Sequence, residues 1–105
     1  MADDWPPGPP PMPPAKIFDA YPTWQGKILR LLEWAKHHGV IGIEVKNMIP
    51  GISYSTATNE LGKLVREGLA VRPGDQRRTP SGEGAKIVWL PEYGPAPRKP
   101  TGFQF

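Results

Sequence analysis

The chain has 105 residues, 13 Lys and Arg against 10 Asp and Glu, a net charge of +3, and no cysteine. The lack of cysteine excludes disulfide scaffolds, thiolate zinc sites and cysteine nucleophiles. No apolar run approaches the ~20 residues that span a bilayer, and the acidic start, Met1 to Asp4, differs from a secretory signal. We therefore expect a complete small cytoplasmic protein with no membrane contact.

Proline dominates the N-terminal part of the chain, with seven prolines within residues 6–14. Proline lacks an amide N–H and has a fixed φ, so this stretch favours an extended polyproline conformation. We predict a disordered N-terminal tail over residues 1–22. The P-x-x-P spacings from Pro7 to Pro10 and from Pro10 to Pro13 leave an alternative, a ligand for the aromatic-lined groove of a protein partner.

The first helix is predicted from Thr23 to His38. Thr23 is a suitable N-cap. Gly39 is a suitable terminator, because glycine readily adopts the left-handed conformation that follows a helix. Apolar residues recur at helical spacing and define one buried face: Trp24, Ile28, Leu31, Leu32 and Ala35.

Two shorter helices are predicted after a short apolar edge strand at residues 40–41. The second helix covers residues 42–49, and Pro50-Gly51 is a turn signal. The third helix covers residues 53–67, with Ser53 as its N-cap and Gly68 at its end. Its predicted core positions are Ala57, Leu61, Leu64 and Val65.

A β-hairpin is predicted from two stretches of high β propensity, residues 69–72 and 85–90. Residues 73–84 have loop chemistry throughout and form its long basic tip. We interpret Trp89 as a packing residue. Residues 92–105 are rich in proline and glycine and predict a disordered C-terminal tail, whose ending Phe103-Gln104-Phe105 is an alternative candidate for strand addition to a sheet edge.

This order of elements, together with residues 51–72, resembles the winged helix-turn-helix transcription regulators. The matching features are the Ser-x-Ser-Thr opening at 53–56, the Leu-x-x-Leu pair from Leu61 to Leu64, and the Gly68-Leu69 step into the hairpin. The resemblance covers residues 24–90. It implies an α+β fold, a three-helix winged helix-turn-helix domain over residues 23–91 with a two-stranded wing and proline-rich disordered tails.

The resemblance also implies a function, sequence-specific binding of double-stranded DNA by a transcription regulator in the cytoplasm, associated with the nucleoid. The helix over residues 53–67 would lie in the major groove, and the wing over residues 73–84 would contact the backbone or the minor groove. A small stand-alone regulator of this type fits a phage or mobile-element origin. We expect the protein to be monomeric away from DNA, because no further amphipathic helix is apparent.

The candidate DNA-binding residues lie on the outer face of the third helix and on the hairpin. Asn pairs bidentately with adenine, while Ser and Thr contact phosphates or base edges. Arginines on a flexible tip suit the minor groove, where a narrow groove concentrates negative potential. The alternative for each is ordinary solvated surface. The predicted set is Ser53, Tyr54, Ser55, Thr56, Thr58, Asn59, Lys63, Arg66, Arg72, Gln76, Arg77 and Arg78, with Lys27 and Lys46 as secondary phosphate contacts.

Other functions find little support in the sequence. Ser53 and Ser55 lack the Gly-x-Ser-x-Gly elbow of a hydrolase, and no phosphate-binding glycine motif is present, so we do not expect an enzyme. Adjacent helical residues diverge by 100°, so His37 and His38 are interpreted as a helix end and no metal or cofactor is expected. The main alternative is a winged helix that binds protein, as an interaction module or as an assembly component of a larger, phage-type complex.

Overall fold

Three α-helices and a two-stranded antiparallel hairpin make up the computed structural model, which describes residues 6–95. The predicted α+β class with this content is confirmed. The helices are α1 (Trp24–Ala35), α2 (Gly42–Met48) and α3 (Tyr54–Arg66), and the strands are β1 (Gln76–Arg78) and β2 (Gly84–Lys86). Short 3-10 turns cover Ala15–Phe18, Lys36–His38 and Pro91–Tyr93. None of the described helices is long and apolar enough to cross a membrane.

Side-chain caps fix where α1 and α3 begin. The Thr23 hydroxyl accepts the Gly26 N–H at 3.0 Å, and the Ser53 hydroxyl accepts the Thr56 N–H at 3.1 Å, which confirms both predicted N-caps. α1 ends earlier than predicted, because Lys36 has φ 53° and the next residues form a 3-10 turn. Gly39, at φ 64°, then turns the chain towards α2.

The core lies between the three helices. Their apolar faces meet where the predicted stripes place them, and the 3-10 turn Ala15–Phe18 contributes Phe18, which is 2% exposed. A second cluster joins Ile41, Ile87 and Trp89 beneath the hairpin. The prediction that Trp89 packs inside is confirmed, since it is fully buried and its indole N–H donates to the His37 carbonyl at 2.7 Å.

The hairpin differs from its prediction in the extent of its strands and of its tip. Only Val71 of the predicted strand 69–72 is paired, through a bridge to Trp89, while Val40 bridges Val88 on the other side. Residues 72–75 lie opposite only residues 87–88, which makes an irregular bulge. Pairing resumes at β1 and β2, with Gln76 opposite Lys86 and Arg78 opposite Gly84. The predicted loop over 73–84 is therefore too long, and only residues 79–83 form the tip.

The N-terminal segment packs onto the domain, so predicted disorder is not supported over residues 6–22. Pro10 and Pro13 are buried, and the indole N–H of Trp34 donates to the Pro11 carbonyl at 2.9 Å. At the other end, the turn Pro91–Tyr93 leaves Tyr93 partly buried. The predicted disorder of residues 96–105, and strand addition by Phe103 to Phe105, lie outside the described residues.

Candidate nucleic-acid interface

The outer face of α3 is polar and open to solvent. Ser55, Asn59, Lys63 and Arg66 are exposed, and Tyr54 at the start of the helix is 53% exposed. Ser55, Asn59, Lys63 and Arg66 lie opposite the buried residue Ala57, as helical geometry requires. Tyr54, three positions before Ala57, lies instead on the side of the helix that faces the groove described below. The face therefore offers amide, hydroxyl and basic groups within about four turns of helix.

Local hydrogen bonds hold the hydroxyl groups at the start of α3. The Ser53 hydroxyl caps the helix and also donates to the Thr56 hydroxyl at 2.9 Å. Thr58 is half-buried, and its hydroxyl donates to the Ser55 carbonyl at 3.1 Å. Ser55 is exposed. The hydroxyl groups of Ser53, Thr56 and Thr58 also form hydrogen bonds within the helix itself.

A groove of about 260 Å³ separates α3 from the stem of the hairpin. Tyr54, Thr58 and Leu61 line it from α3, and Arg72 and Lys86 line it from the hairpin. The structure thus brings together predicted residues that are up to 18 positions apart in sequence. It also adds Lys86, which sequence reasoning did not include. The sequence pattern that could have identified Lys86 is the alternation of polar and apolar residues in the second strand, which places Lys86 on the face opposite to that of the buried Ile87.

Helix α2 supports this groove through a close backbone approach. A Cβ atom at Gly42 would lie 2.7 Å from the Thr58 methyl carbon and 3.4 Å from the Tyr54 ring. The N-terminus of α2 therefore packs directly on the first turns of α3. Glu44 caps α2, because its carboxylate accepts the Ile41 N–H at 3.1 Å. α3 is thereby held at a defined position next to the hairpin.

The hairpin tip lies beside the first turn of α3. A second groove is lined by Tyr54 and Ile43 on one side and by Thr79, Ser81 and Glu83 of the tip on the other. Gln76 and Arg78, the residues before the tip, are both exposed. The Arg78 guanidinium donates to the Gly82 carbonyl at 3.1 Å across the tip.

The prediction that Arg77 lies on a flexible basic tip is wrong, because the residue is neither exposed nor part of the tip. It lies in β1, is 7% exposed, and forms a bidentate pair with Glu44 at 2.8 Å and 2.6 Å. The guanidinium also donates to the carbonyl groups of Pro7, Gly8, His38 and Gly39. With both edges of its guanidinium occupied, Arg77 is not available to a phosphate in this conformation.

The two secondary phosphate contacts, Lys27 and Lys46, differ in their environments. Lys27 is engaged by the carbonyls of Phe18 and Tyr21 and ties the N-terminal turn to α1, so it is not a free phosphate contact. Gly62 of α3 is buried, and a Cβ atom there would lie 3.4 Å from the Arg66 guanidinium. Lys46 stays exposed on α2, away from the groove residues.

The two histidines, His37 and His38, lie in the 3-10 turn that follows α1. Their rings stack with centroids 4.4 Å apart, and His38 Nδ1 donates to the Gly8 carbonyl at 3.0 Å. Within residues 6–95, no group of three or more His, Asp or Glu side chains is placed to hold a metal ion.

Comparison of the chain with protein-family models found no match, and comparisons with curated proteins and with solved structures found none either.

Proposed function

We propose that the protein binds double-stranded DNA sequence-specifically, as a transcription regulator of the winged helix type. One observation carries the proposal, the exposed hydrogen-bonding face of α3 beside exposed basic residues of the hairpin. In the proposed complex α3 lies in the major groove, and the hairpin follows the adjacent backbone or minor groove.

The arrangement of strands supports the winged helix part of the proposal. Val40, between α1 and α2, bridges Val88, and Val71, after α3, bridges Trp89. The segment around residues 87–89 therefore pairs with one residue that precedes α2 and with one residue that follows α3. The hairpin is joined in this way to both ends of the α2–α3 unit, which fixes its position relative to α3.

The dimensions and chemistry of α3 support base reading. A helix with its side chains is about 10–12 Å across, close to the ~12 Å width of the major groove. Asn59 lies at the middle of the exposed face and is the residue whose amide matches the paired donor and acceptor of adenine. Ser55 and Lys63 lie one turn to either side and are suited to flanking bases or phosphates.

Basic residues of the hairpin stem and of the outer face of α3 support backbone contact. Arg72 and Lys86 project from the hairpin stem, and Lys63 and Arg66 from α3. Each phosphate that these side chains neutralise should steepen the dependence of log K on log salt concentration by about 0.9. Arg78 is a further contact near the tip, whereas Arg77 belongs to the interior.

The test is a fluorescence-anisotropy titration against a random duplex pool at two salt concentrations, with selection and sequencing of the bound DNA. We expect salt-sensitive binding and enrichment of a short motif. On that motif, Asn59→Ala should cost about 1–3 kcal/mol of binding free energy. Asn47→Ala is the matched control, because Asn47 is exposed on α2 outside the proposed interface.

Two outcomes would contradict the proposal at different levels. An enriched motif that Asn59→Ala leaves unchanged would remove base reading by this residue. Absence of binding at low salt would remove the DNA-binding function and favour a winged helix that binds protein through the same face.

A further inference from the structure

The segment over residues 6–14 lies on the folded domain, and burial of its side chains repeats every third residue. Pro10 and Pro13 are buried and Pro7 is half-buried, while all the other residues of the segment are exposed. Three residues complete one turn of a polyproline II helix, so a burial period of three places one face of such a helix against the domain. Pro14, at φ −62° and ψ 135°, has the matching backbone conformation.

Side chains of the domain donate to the carbonyl groups of this segment. The Trp34 indole donates to Pro11 at 2.9 Å, and His38 donates to Gly8 at 3.0 Å. Arg77 donates to the carbonyl groups of Pro7 and Gly8 at 2.8 Å and 3.0 Å. Because prolines offer only acceptors, donors on the domain are what such a segment needs, and an indole N–H beside buried prolines is how aromatic grooves recognise it.

The donors are held in place by the domain and not by the segment. Arg77 is anchored by Glu44 and by the Gly39 carbonyl, both outside the segment. Trp34 lies within α1, partly packed on the core. The site therefore retains its chemistry when the segment leaves.

The groove also extends beyond the segment that fills it. Next to Pro11 lies an open cavity of about 600 Å³, lined by Trp34 and Tyr93 together with Arg30 and Lys36. A ligand longer or bulkier than residues 7–13 has room there.

We infer that this face of the domain is a polyproline II-binding site, with residues 7–13 as its resident ligand. A proline-rich segment of a partner protein, with prolines three residues apart, takes the same place. The resident segment is tethered within a few residues of the site, so its effective concentration is on the order of millimolar. It therefore keeps the site closed to weak ligands and makes partner binding depend on its displacement.

The test uses the full chain with its resident ligand disabled by Pro10→Ala and Pro13→Ala. A fluorescein-labelled peptide with the sequence of residues 6–14 is titrated and followed by anisotropy. We expect the double variant to bind this peptide at least about tenfold more tightly than the unaltered chain, where the tethered segment competes. The same peptide with both alanine substitutions should bind at least about tenfold more weakly, since both buried prolines are missing.

Substitution of Trp34 tests the contribution of its indole N–H donor. In the double-variant background, Trp34→Phe keeps an aromatic surface and removes the indole N–H, so peptide affinity should fall about 5- to 10-fold. Trp24→Phe, at the opposite end of α1, is the control and should leave peptide affinity unchanged.

Three results would overturn the assignment. The first is a folded double variant, with the circular dichroism spectrum of the unaltered chain, that leaves the labelled peptide free at about 1 mM protein. The second is equal binding of the peptide with and without its two buried prolines. If the double variant is unfolded, addition of the proline peptide should restore the helical spectrum in trans, and failure to do so is the third.

Discussion

Arg77 and Arg78 are neighbours on one strand, yet the structure gives them opposite environments. Arg77 points inward to Glu44 and four carbonyl groups, while Arg78 points outward with one carbonyl partner at the tip. Successive side chains of a strand lie on opposite faces, so once Gln76–Arg78 pairs with β2, only one of two adjacent arginines can stay in solvent. A basic dipeptide is therefore not evidence for two surface charges.

The same contrast separates the two faces of the molecule that are proposed to bind a ligand. The α3 face presents Asn59 and Lys63 with open side chains, which leaves them available to a ligand. The face around Trp34 and Arg77 is already occupied by the chain's own N-terminal segment. An open face binds without internal competition, whereas an occupied face binds only a ligand that displaces what is there.

The largest effect expected from this contrast is on stability. Arg77→Ala leaves the Glu44 carboxylate, only 12% exposed, without its partner. Breaking a buried ion pair in this way typically costs about 3–5 kcal/mol. Arg78→Ala is the matched control and should stay within about 0.5 kcal/mol of the unaltered chain, because its side chain is exposed.

Urea denaturation followed by circular dichroism measures both changes in the free energy of unfolding. Equal effects of the two substitutions would show that the inward placement of Arg77 contributes little to folding. The two arginines would then differ in burial but not in their contribution to the free energy of unfolding.

A smaller effect tests the backbone that positions the Arg77 side of the molecule. Gly39 has φ 64°, and a Cβ atom there would lie 2.5 Å from an Ile87 methyl carbon and 2.9 Å from the Trp89 indole nitrogen. Gly39→Ala should therefore cost more than the ~1 kcal/mol expected from φ alone, about 2–3 kcal/mol. Gly68→Ala isolates the conformational part, since Gly68 has φ 80° and open space around it.

Thermal or urea unfolding of the two glycine variants gives this comparison directly. A Gly39→Ala variant no less stable than Gly68→Ala would mean that the close packing of residue 39 on residues 87–89 is relieved at no cost.

The smallest effect concerns charge on the open face. Arg72→Ala or Lys86→Ala should each lower the steepness of the log K against log salt plot for DNA binding by about 0.9, because each removes one of the proposed phosphate contacts. Lys16→Ala provides the control from an exposed lysine outside the groove. Equal changes for all three variants would indicate a diffuse effect of net charge and would remove the groove from the proposed interface.

Helix positions followed from local patterns in the sequence. Thr23 and Ser53 cap the helices that they were predicted to cap, and the predicted apolar stripes of α1 and α3 are buried except for Trp24 and Val65, which are half-buried. These features depend on residues three or four positions apart, so periodicity and capping chemistry are sufficient to find them. The polar outer face of α3, with Ser55, Asn59 and Lys63, follows from the same periodicity.

The hairpin and the N-terminal segment could not be located in this way. Gln76–Arg78 has little β propensity, and its strand exists because β2 pairs with it beyond the bulge at residues 72–75. A proline run predicts an extended conformation whether it is free or bound, so composition did not distinguish a disordered tail from a docked one.

The sequence by itself determined the three helices, the N-caps of α1 and α3, and the apolar and polar faces of these two helices, since each depends on residues within a turn or two of helix. Tertiary structure alone decided which arginine is buried and where residues 6–14 lie. The partners of Arg77 are 33 residues away at Glu44 and 70 residues away at Pro7. Pairings at such separations are set by the packing of whole elements, which no local pattern records.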